Sequence, residues 1–456
     1  MNNSPRQMKL GAFIYPTGHH VAAWRHPDSQ ADGGVNFKHY IELAQTAERG
    51  LFDMMFLADV LSGVTRQGEP VTTAARGSHF GHFEPLTLLS ALAAVTEHLG
   101  LVATMTTTYN EPYHVARKFA SLDLISGGRS GWNLVTSANT DEALNFSSPA
   151  HALHADRYER AREFAHVVQG LWDSWDEDAF TRDKASGLFF DPTKMRTLNH
   201  SGKHFSVRGP LNVPRSLQGA PVLVQAGSSD DGKDLAAETA EVVFTAQQKL
   251  ETAQAFYADV KERAARYGRA PDDIKIMPGV LLIVGRTEEE ARAKYQSYQE
   301  LIHPDVGLMQ LSRSAGVDLS GYDLDGPMPL TVDVQGPKSR FALISKLATD
   351  EGLTIRQLYM RLAGTRGHWL LVGSPAQIAD EFEEWFVKRG ADGFNILPAL
   401  VPTGLNDIVN LLIPELQRRG LFRRAYEGRT LRENLGLRKP SNGWRFAAGT
   451  QTQRTA

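Results

Sequence analysis

PVLVQAGSSDDGKDLAAETAE, residues 221–241, sets a short apolar run directly before a glycine, two serines and a helix-like segment. Val222, Leu223 and Val224 read as a buried strand, and Leu235, Ala236 and Ala237 as the apolar side of a helix. Gly227 at the turn lets the backbone approach a ligand closely, and the first N–H groups of the following helix have no intrahelical partners. A strand, turn and helix of this form bind a phosphate. They also make one βα unit, and similar units lie on both sides of it.

Upstream, Leu10–Tyr15, Met54–Ala58, Leu101–Thr106 and Ser130–Val135 read as strands. Between them, Phe37, Tyr40, Ile41 and Ala44 fall at helical spacing before Gly50, Leu86–Val95 is an apolar helix, and Val115, Phe119 and Leu122 mark one face of another. Downstream, Val242–Thr245, Ile274–Val284 and Gly393–Leu397 continue the series. Together with Val222–Gln225 these are eight strands, which predicts a closed (β/α)8 TIM barrel with insertions. A doubly wound open sheet is the alternative that strand counting leaves. Proline, glycine, asparagine and charged residues interrupt the pattern near residues 172–219, and helix-like runs with a Gly/Pro-rich loop interrupt it near 295–365. The second interruption reads as an insertion over one end of the barrel. The expected organisation is one domain over 1–440 and a polar tail over 441–456.

Composition narrows the function. Of 456 residues, 42% are hydrophobic and 22% charged, as in a globular protein with ample core. A formal net charge of −3 without a lysine/arginine tract gives nucleic-acid binding little electrostatic support. The absence of cysteine excludes disulfides, thiolate metal sites and a cysteine nucleophile. The N-terminus lacks the apolar core of a signal peptide and no 18-residue apolar run follows, so a cytoplasmic protein without a membrane partner is expected.

In a barrel, functional groups belong where strands end and loops begin. Asp59 follows the second strand, Thr106, Thr107 and Thr108 end the third, and Trp132 and Asn133 lie in the fourth. His19 and His20 follow the first strand, and Ser228 and Ser229 follow the fifth. Any one of these alone reads first as a turn or cap residue; their shared position makes the group. His154 and Tyr158, four apart, share one helical face, either as an ordinary stacked pair or as two donors for a phosphate. Residues 227–234 nearly match the nucleotide P-loop but place Asp234 where a magnesium-binding hydroxyl belongs, and Asp230 and Asp231 add carboxylates to a triphosphate cradle. NTP hydrolysis is therefore rejected. Adjacent histidines on a strand point to opposite faces, so neither His19–His20 nor His79-x-x-His82 makes a convincing metal site. No G-x-S-x-G elbow and no G-x-G-x-x-G dinucleotide motif occurs.

Six stretches carry a resemblance: PTGHHVAAWR (16–25), LFDMMFLAD (51–59), TTTYNEPYHVARKFASLDLISGGRSGWNLVTS (106–137), HADRYERAREF (154–164), GKHFSVRGPLNVPRSLQGAPVLVQAGSS (202–229) and GSPAQIAD (373–380). In this order, over nearly the whole chain, they resemble the nitrilotriacetate and dibenzothiophene-sulfone monooxygenase branch of the bacterial-luciferase-like flavin monooxygenases. The resemblance implies a barrel that binds reduced FMN delivered by a separate NAD(P)H:flavin reductase. One oxygen atom from O2 would reach a small organic substrate through a flavin C4a-(hydro)peroxide. It implies flavin contacts from Asp59, Thr106, Asn133, His154, Tyr158, Ser228 and Ser229, with the last four at the 5′-phosphate. Thr107 could replace Thr106 if the strand alternation is shifted by one residue. His20 is the expected catalytic contact near the reacting oxygen, with His19 facing the other way. Residues 61–82 and 295–365 are the expected lids. Arg25, Arg66 and Arg76 read either as partners for substrate carboxylates or equally as solvated surface residues, and the polar loop over 66–82 leans towards a small polar or anionic substrate oxidised at C–N or C–S. A homodimer or homotetramer is implied by the same resemblance. The rival readings are a flavin-binding protein without turnover, a deazaflavin-dependent oxidoreductase of the same superfamily, and a metal-dependent barrel hydrolase.

Overall fold

Strands rich in valine, leucine, methionine and phenylalanine, without polar alternation, need cover on both faces. In the computed structural model they are β1 (Lys9–Phe13), β2 (Met54–Leu57), β3 (Gly100–Thr106), β4 (Ser130–Val135), β5 (Val222–Ala226), β6 (Val242–Thr245), β7 (Lys275–Val284), β8 (Trp369–Gly373) and β9 (Gly393–Pro398). The structure describes residues 6–63, 71–77, 80–137, 141–147, 154–330, 338–363 and 367–443. All nine strands are parallel in one sheet. β7 pairs β9 on one edge, and β9 pairs β1, so the series β1 to β7 closes through β9 into an eight-stranded barrel.

β8 is the strand that eight βα units do not predict. β6 pairs only Lys275–Pro278 of β7, and β8 takes the same edge from Val280 to Val284. A ten-residue strand beside a four-residue neighbour leaves backbone donors and acceptors unmatched, and β8 supplies their partners.

Alternation along the strands sorts their side chains. Leu10, Met55, Leu101, Trp132 and Leu223 face outward into the layer shared with the helices. Phe13, Met54, Phe56, Val102, Val222 and Val224 face inward and fill the barrel. The same alternation puts Thr104 and Thr106 on the inner face of β3 with Val102, and Asn133 opposite Thr104 on β4. Thr107 instead closes the strand, its N–H bonded to Val135 O at 2.9 Å.

Residues 172–219 form an irregular excursion with a short hairpin, His200–Ser201 against Ser206–Val207. The helices Glu288–Glu300, Pro304–Ala315, Lys338–Glu351 and Ile355–Ala363 follow β7. Pro304–Ala315 and Ile355–Ala363 share an apolar cluster with Val21 and Ala22 of the loop after β1, including Val306, Leu311, Leu358 and Tyr359. That places this helical insertion at the carboxyl end of the barrel strands. No helix among the described residues is long and apolar enough to cross a membrane.

Candidate functional site

The segment Gly227–Gly232 sits at the carboxyl end of β5. Ser229 caps the helix Asp230–Thr239, its Oγ accepting the Gly232 N–H at 3.2 Å. A Cβ on Gly232 would lie 3.1 Å from Ser229 Oγ, 3.2 Å from the Tyr158 hydroxyl and 3.3 Å from Gly227 Cα. Only hydrogen at position 232 therefore leaves the space between these groups open. Tyr158 comes from the helix His154–Trp172, and Arg162 on that helix clamps the two together through Asp234 (2.6 Å) and Glu238 (2.7 Å). His166 adds a third link to Glu238 at 2.8 Å. The carboxylate of Asp230, which a phosphate would oppose, pairs with Lys233 (3.1 Å) and Arg263 (2.9 Å). The result is an anion cradle of one hydroxyl, two serines and a helix N-terminus. Ser228 and Ser229 are exposed on its rim.

Beside the cradle a cavity of about 410 Å³ opens between the ends of β2 to β5, lined by Asp59, Thr104, Thr106, Glu142, Tyr158 and Gln225 among others. Its lining combines the acceptors of Asp59, Glu142 and Gln225 with the Arg157 guanidinium and several hydroxyls. Thr104 Oγ1 donates to Leu57 O (2.8 Å) and accepts from Asn133 Nδ2 (2.8 Å), which turns Asn133 Oδ1 away from both. Gln225 Nε2 donates to Gly232 O at 3.3 Å, which fixes its amide likewise. Asn133 Oδ1, Gln225 Oε1 and Glu142 Oε2 have no hydrogen-bond partner among the described residues, though each residue is buried. Of these, Gln225 Oε1 and Glu142 Oε2 belong to residues that line the cavity, so a complementary ligand brings N–H or O–H donors to them, beside the Arg157 guanidinium on the same lining. FMN, with a phosphate, ribityl hydroxyls and ring N–H groups, fits the cradle and these acceptors.

Asp59 follows β2 at the cavity edge. Burial pushes its carboxyl up to about 6, against the pull of the Val60 N–H, and the negative charges of Glu84 and Glu142 add to the rise. Thr106 Oγ1 accepts from Ser137 Oγ (2.9 Å) and Thr108 N (3.1 Å). The structure thus gathers Asp59, Thr106, Asn133, Tyr158, Ser228 and Ser229 at one end of the barrel. His154 begins its helix on the same side, and its side chain lies outside the described residues, as do Arg66 and His79.

The histidine pair alternates, with an unexpected assignment. Gly18, at φ +113°, lets the chain turn so that His19 N and His20 N bond Pro398 O (2.9 Å) and Ala399 O (3.0 Å). His19 lies against Phe13 and Tyr15, ring centroids 4.5 and 4.4 Å away, on the barrel-interior side, and its Nε2 meets Phe13 O at 3.0 Å. His20 turns to the insertion: Nδ1 accepts from Ala22 N (3.2 Å) and Nε2 meets Gln299 Oε1 (2.9 Å). Neither is among the residues lining the cavity. Arg25 donates to Leu301 O and Arg76 pairs with Asp305 at 3.2 Å, so both tie loops to the insertion.

Thr104, Gln225 and Glu142 line this cavity and were not among the residues expected from the sequence. Thr104 could have been found, because it lies two residues before Thr106 and period two puts both on one face. Gln225 and Glu142 had no such signal.

A closed parallel barrel with a polar cavity at the carboxyl ends of its strands has the layout of a barrel enzyme. The chain belongs to the luciferase-like monooxygenase family, which it matches over residues 17–393. It is a flavin-dependent monooxygenase. It is 54% identical over 446 residues to N-acetyl-S-(2-succino)cysteine monooxygenase of Bacillus subtilis (strain 168), covering 97% of this chain and 99% of that protein. It is 52% identical over 443 residues to nitrilotriacetate monooxygenase component A of Aminobacter aminovorans, covering 96% and 98%. Among solved structures, a riboflavin lyase with modified FMN and riboflavin superposes with a TM-score of 0.84 at 32% identity, covering 98% of this chain and 100% of that one.

Proposed function

We propose that this chain is the oxygenase component of a two-component system. It takes reduced FMN from a separate NAD(P)H:flavin reductase and inserts one atom of O2 into a small carboxylate-bearing thioether or amine, the other atom leaving as water. The observation that carries the reading is the pairing of an anion cradle with a cavity lined by two buried, unpartnered acceptors, Gln225 Oε1 and Glu142 Oε2. Ser228, Ser229, Tyr158 and His154 hold the phosphate in this reading, and Asp59, Thr106 and Asn133 lie nearer the ring. Reduced FMN, when bound, supplies the electron pair that activates O2. The protein's part is to bind it, orient it and keep water from the site.

Two relatives support the substrate class. Both N-acetyl-S-(2-succino)cysteine and nitrilotriacetate present several carboxylates around a sulfur or nitrogen. The word component in the second name favours a separate electron donor. The test is calorimetry with FMN followed by oxygen consumption with reduced FMN from an unrelated reductase, against a panel of thioether and amine carboxylates. Substrate-dependent product with FMN uptake is expected. FMN uptake without product from any substrate favours a flavin carrier, and uptake of a deazaflavin in place of FMN overturns the cofactor. Tyr158→Phe and Ser228→Ala should each weaken FMN binding by about 1.5–3 kcal/mol, the worth of a hydrogen bond to a charged group.

A further inference from the structure

Of the three unpartnered acceptors, Glu142 Oε2 has the largest deficit, because an unsatisfied buried carboxylate costs more than an unsatisfied amide. Glu142 is 5% exposed, on the short helix Asp141–Leu144. Its place is fixed. Asn145 N bonds Glu142 O at 3.1 Å, and Asn145 Nδ2 bonds Leu61 O at 2.8 Å, tying the helix to the loop that carries Asp59. Tyr109 and Phe146 stack beside it with centroids 4.7 Å apart. Glu142 and Asp59 both line the cavity, and each adds negative potential there.

An unpartnered acceptor is satisfied only by a donor. An ionised carboxylate of the substrate has no hydrogen to give Glu142 Oε2, and Arg157, which lines the same cavity, directs its Nη1 to Ser137 O. A neutral N–H or O–H supplies one, and the flavin ring and ribityl chain carry such donors. We infer that Glu142 is a flavin-binding residue whose Oε2 accepts a hydrogen bond from an N–H or O–H group of the bound flavin. The inference rests on the reading of this cavity as an FMN site.

The same geometry separates binding from support. A residue that only braces its helix stabilises the empty protein, whereas an unpartnered buried carboxylate burdens it until ligand arrives. The experiment is fluorescence titration of FMN into the full-length flavin-free protein, with melting temperatures of the flavin-free forms. Glu142→Ala is expected to weaken FMN binding about tenfold, as for one charge-assisted hydrogen bond, while the flavin-free protein melts no lower than wild type. Glu142→Gln keeps the shape and a neutral acceptor, so it should weaken FMN binding about threefold. FMN affinity within twofold of wild type in Glu142→Ala overturns the inference. Should that variant fail to fold, Glu142→Gln decides: a loss beyond twofold with an unchanged melting temperature supports the role, and an unchanged affinity overturns it. Wild-type protein that binds no FMN overturns the reading of the site itself.

Discussion

Gly232 shows how a single side chain can be absent for a ligand's sake. In a helix an alanine is favoured over glycine by about 0.5–1 kcal/mol, and nothing at this position requires a left-handed backbone. Yet the Cβ would close the space between Ser229 Oγ and the Tyr158 hydroxyl. Gly232→Ala should therefore weaken FMN binding, measured by calorimetry, by more than any change in the melting temperature of the same preparation accounts for. A second prediction concerns Asp59. Its carboxyl titrates at an ordinary 3.8 when exposed and at about 6 in the fold. Between these values the folded state holds more protons, so this group's contribution to stability falls as pH rises through the window, and above it the ionised carboxylate is a constant cost. Asp59→Asn should raise the flavin-free melting temperature more at pH 7.5 than at pH 5. Equal gains at both values would show that burial does not hold the proton. These residues were legible in sequence because strand ends and a Gly-Ser-Ser turn are local signals. Gln225 and Glu142 were not, since an amide at a strand end and a glutamate after a polar run look like any surface residue until the chain buries them.

At the scale of elements, His20 is one of several polar links between the insertion after β7 and the barrel, beside Lys294 with Asp407 and Gln377 with Glu288. Gln299 receives His20 at its Oε1, and its Nε2 donates to Tyr295 OH (2.9 Å) and Met360 O (2.6 Å). One amide thus connects the loop after β1, the helix Glu288–Glu300 and the helix Ile355–Ala363. Removing the imidazole leaves a buried acceptor unpaired at a cost of about 1–3 kcal/mol. His20→Ala should therefore lower the melting temperature and increase hydrogen peroxide released per oxygen consumed, with FMN affinity unchanged. Gln299→Leu separates the two explanations. If it reproduces the uncoupling, His20 acts by seating the insertion; if only His20→Ala uncouples, the imidazole itself contacts the reacting group. Sequence periodicity identified the insertion and the alternation of His19 and His20, but alternation gives no absolute sense. The turn at Gly18 sets that sense, through backbone bonds to residues some 380 positions later. β8 was missed for a related reason: its run Trp369–Gly373 is apolar, but its need arises from the mismatch of β6 and β7, which no local window contains.

Across the whole molecule the two ends of the barrel divide their work, and this division can be tested. The eight parallel strands were legible because buried strands announce themselves as short apolar runs between helices. What closes the amino end was not, because it joins residues from opposite ends of the chain. There Asp53, fully buried, accepts from Leu10 N at 2.7 Å and pairs with Arg423, whose guanidinium also donates to Asn434 O at 2.9 Å. Among the described residues, none of Asp53, Arg423 and Asn434 lines the cavity. Asp53→Ala leaves a buried guanidinium without its carboxylate and should cost about 3–5 kcal/mol in denaturant unfolding. Where enough protein remains folded, its FMN affinity should match wild type. Replacing both partners, as in Asp53→Leu with Arg423→Met, should recover part of the loss, because two apolar side chains bring no unpaired charge. The contrast with Gly232→Ala is then direct: one substitution acts on stability and spares FMN affinity, the other acts at the site and weakens FMN binding. A loss of FMN affinity in folded Asp53→Ala would show instead that the amino end is coupled to the site through the strands.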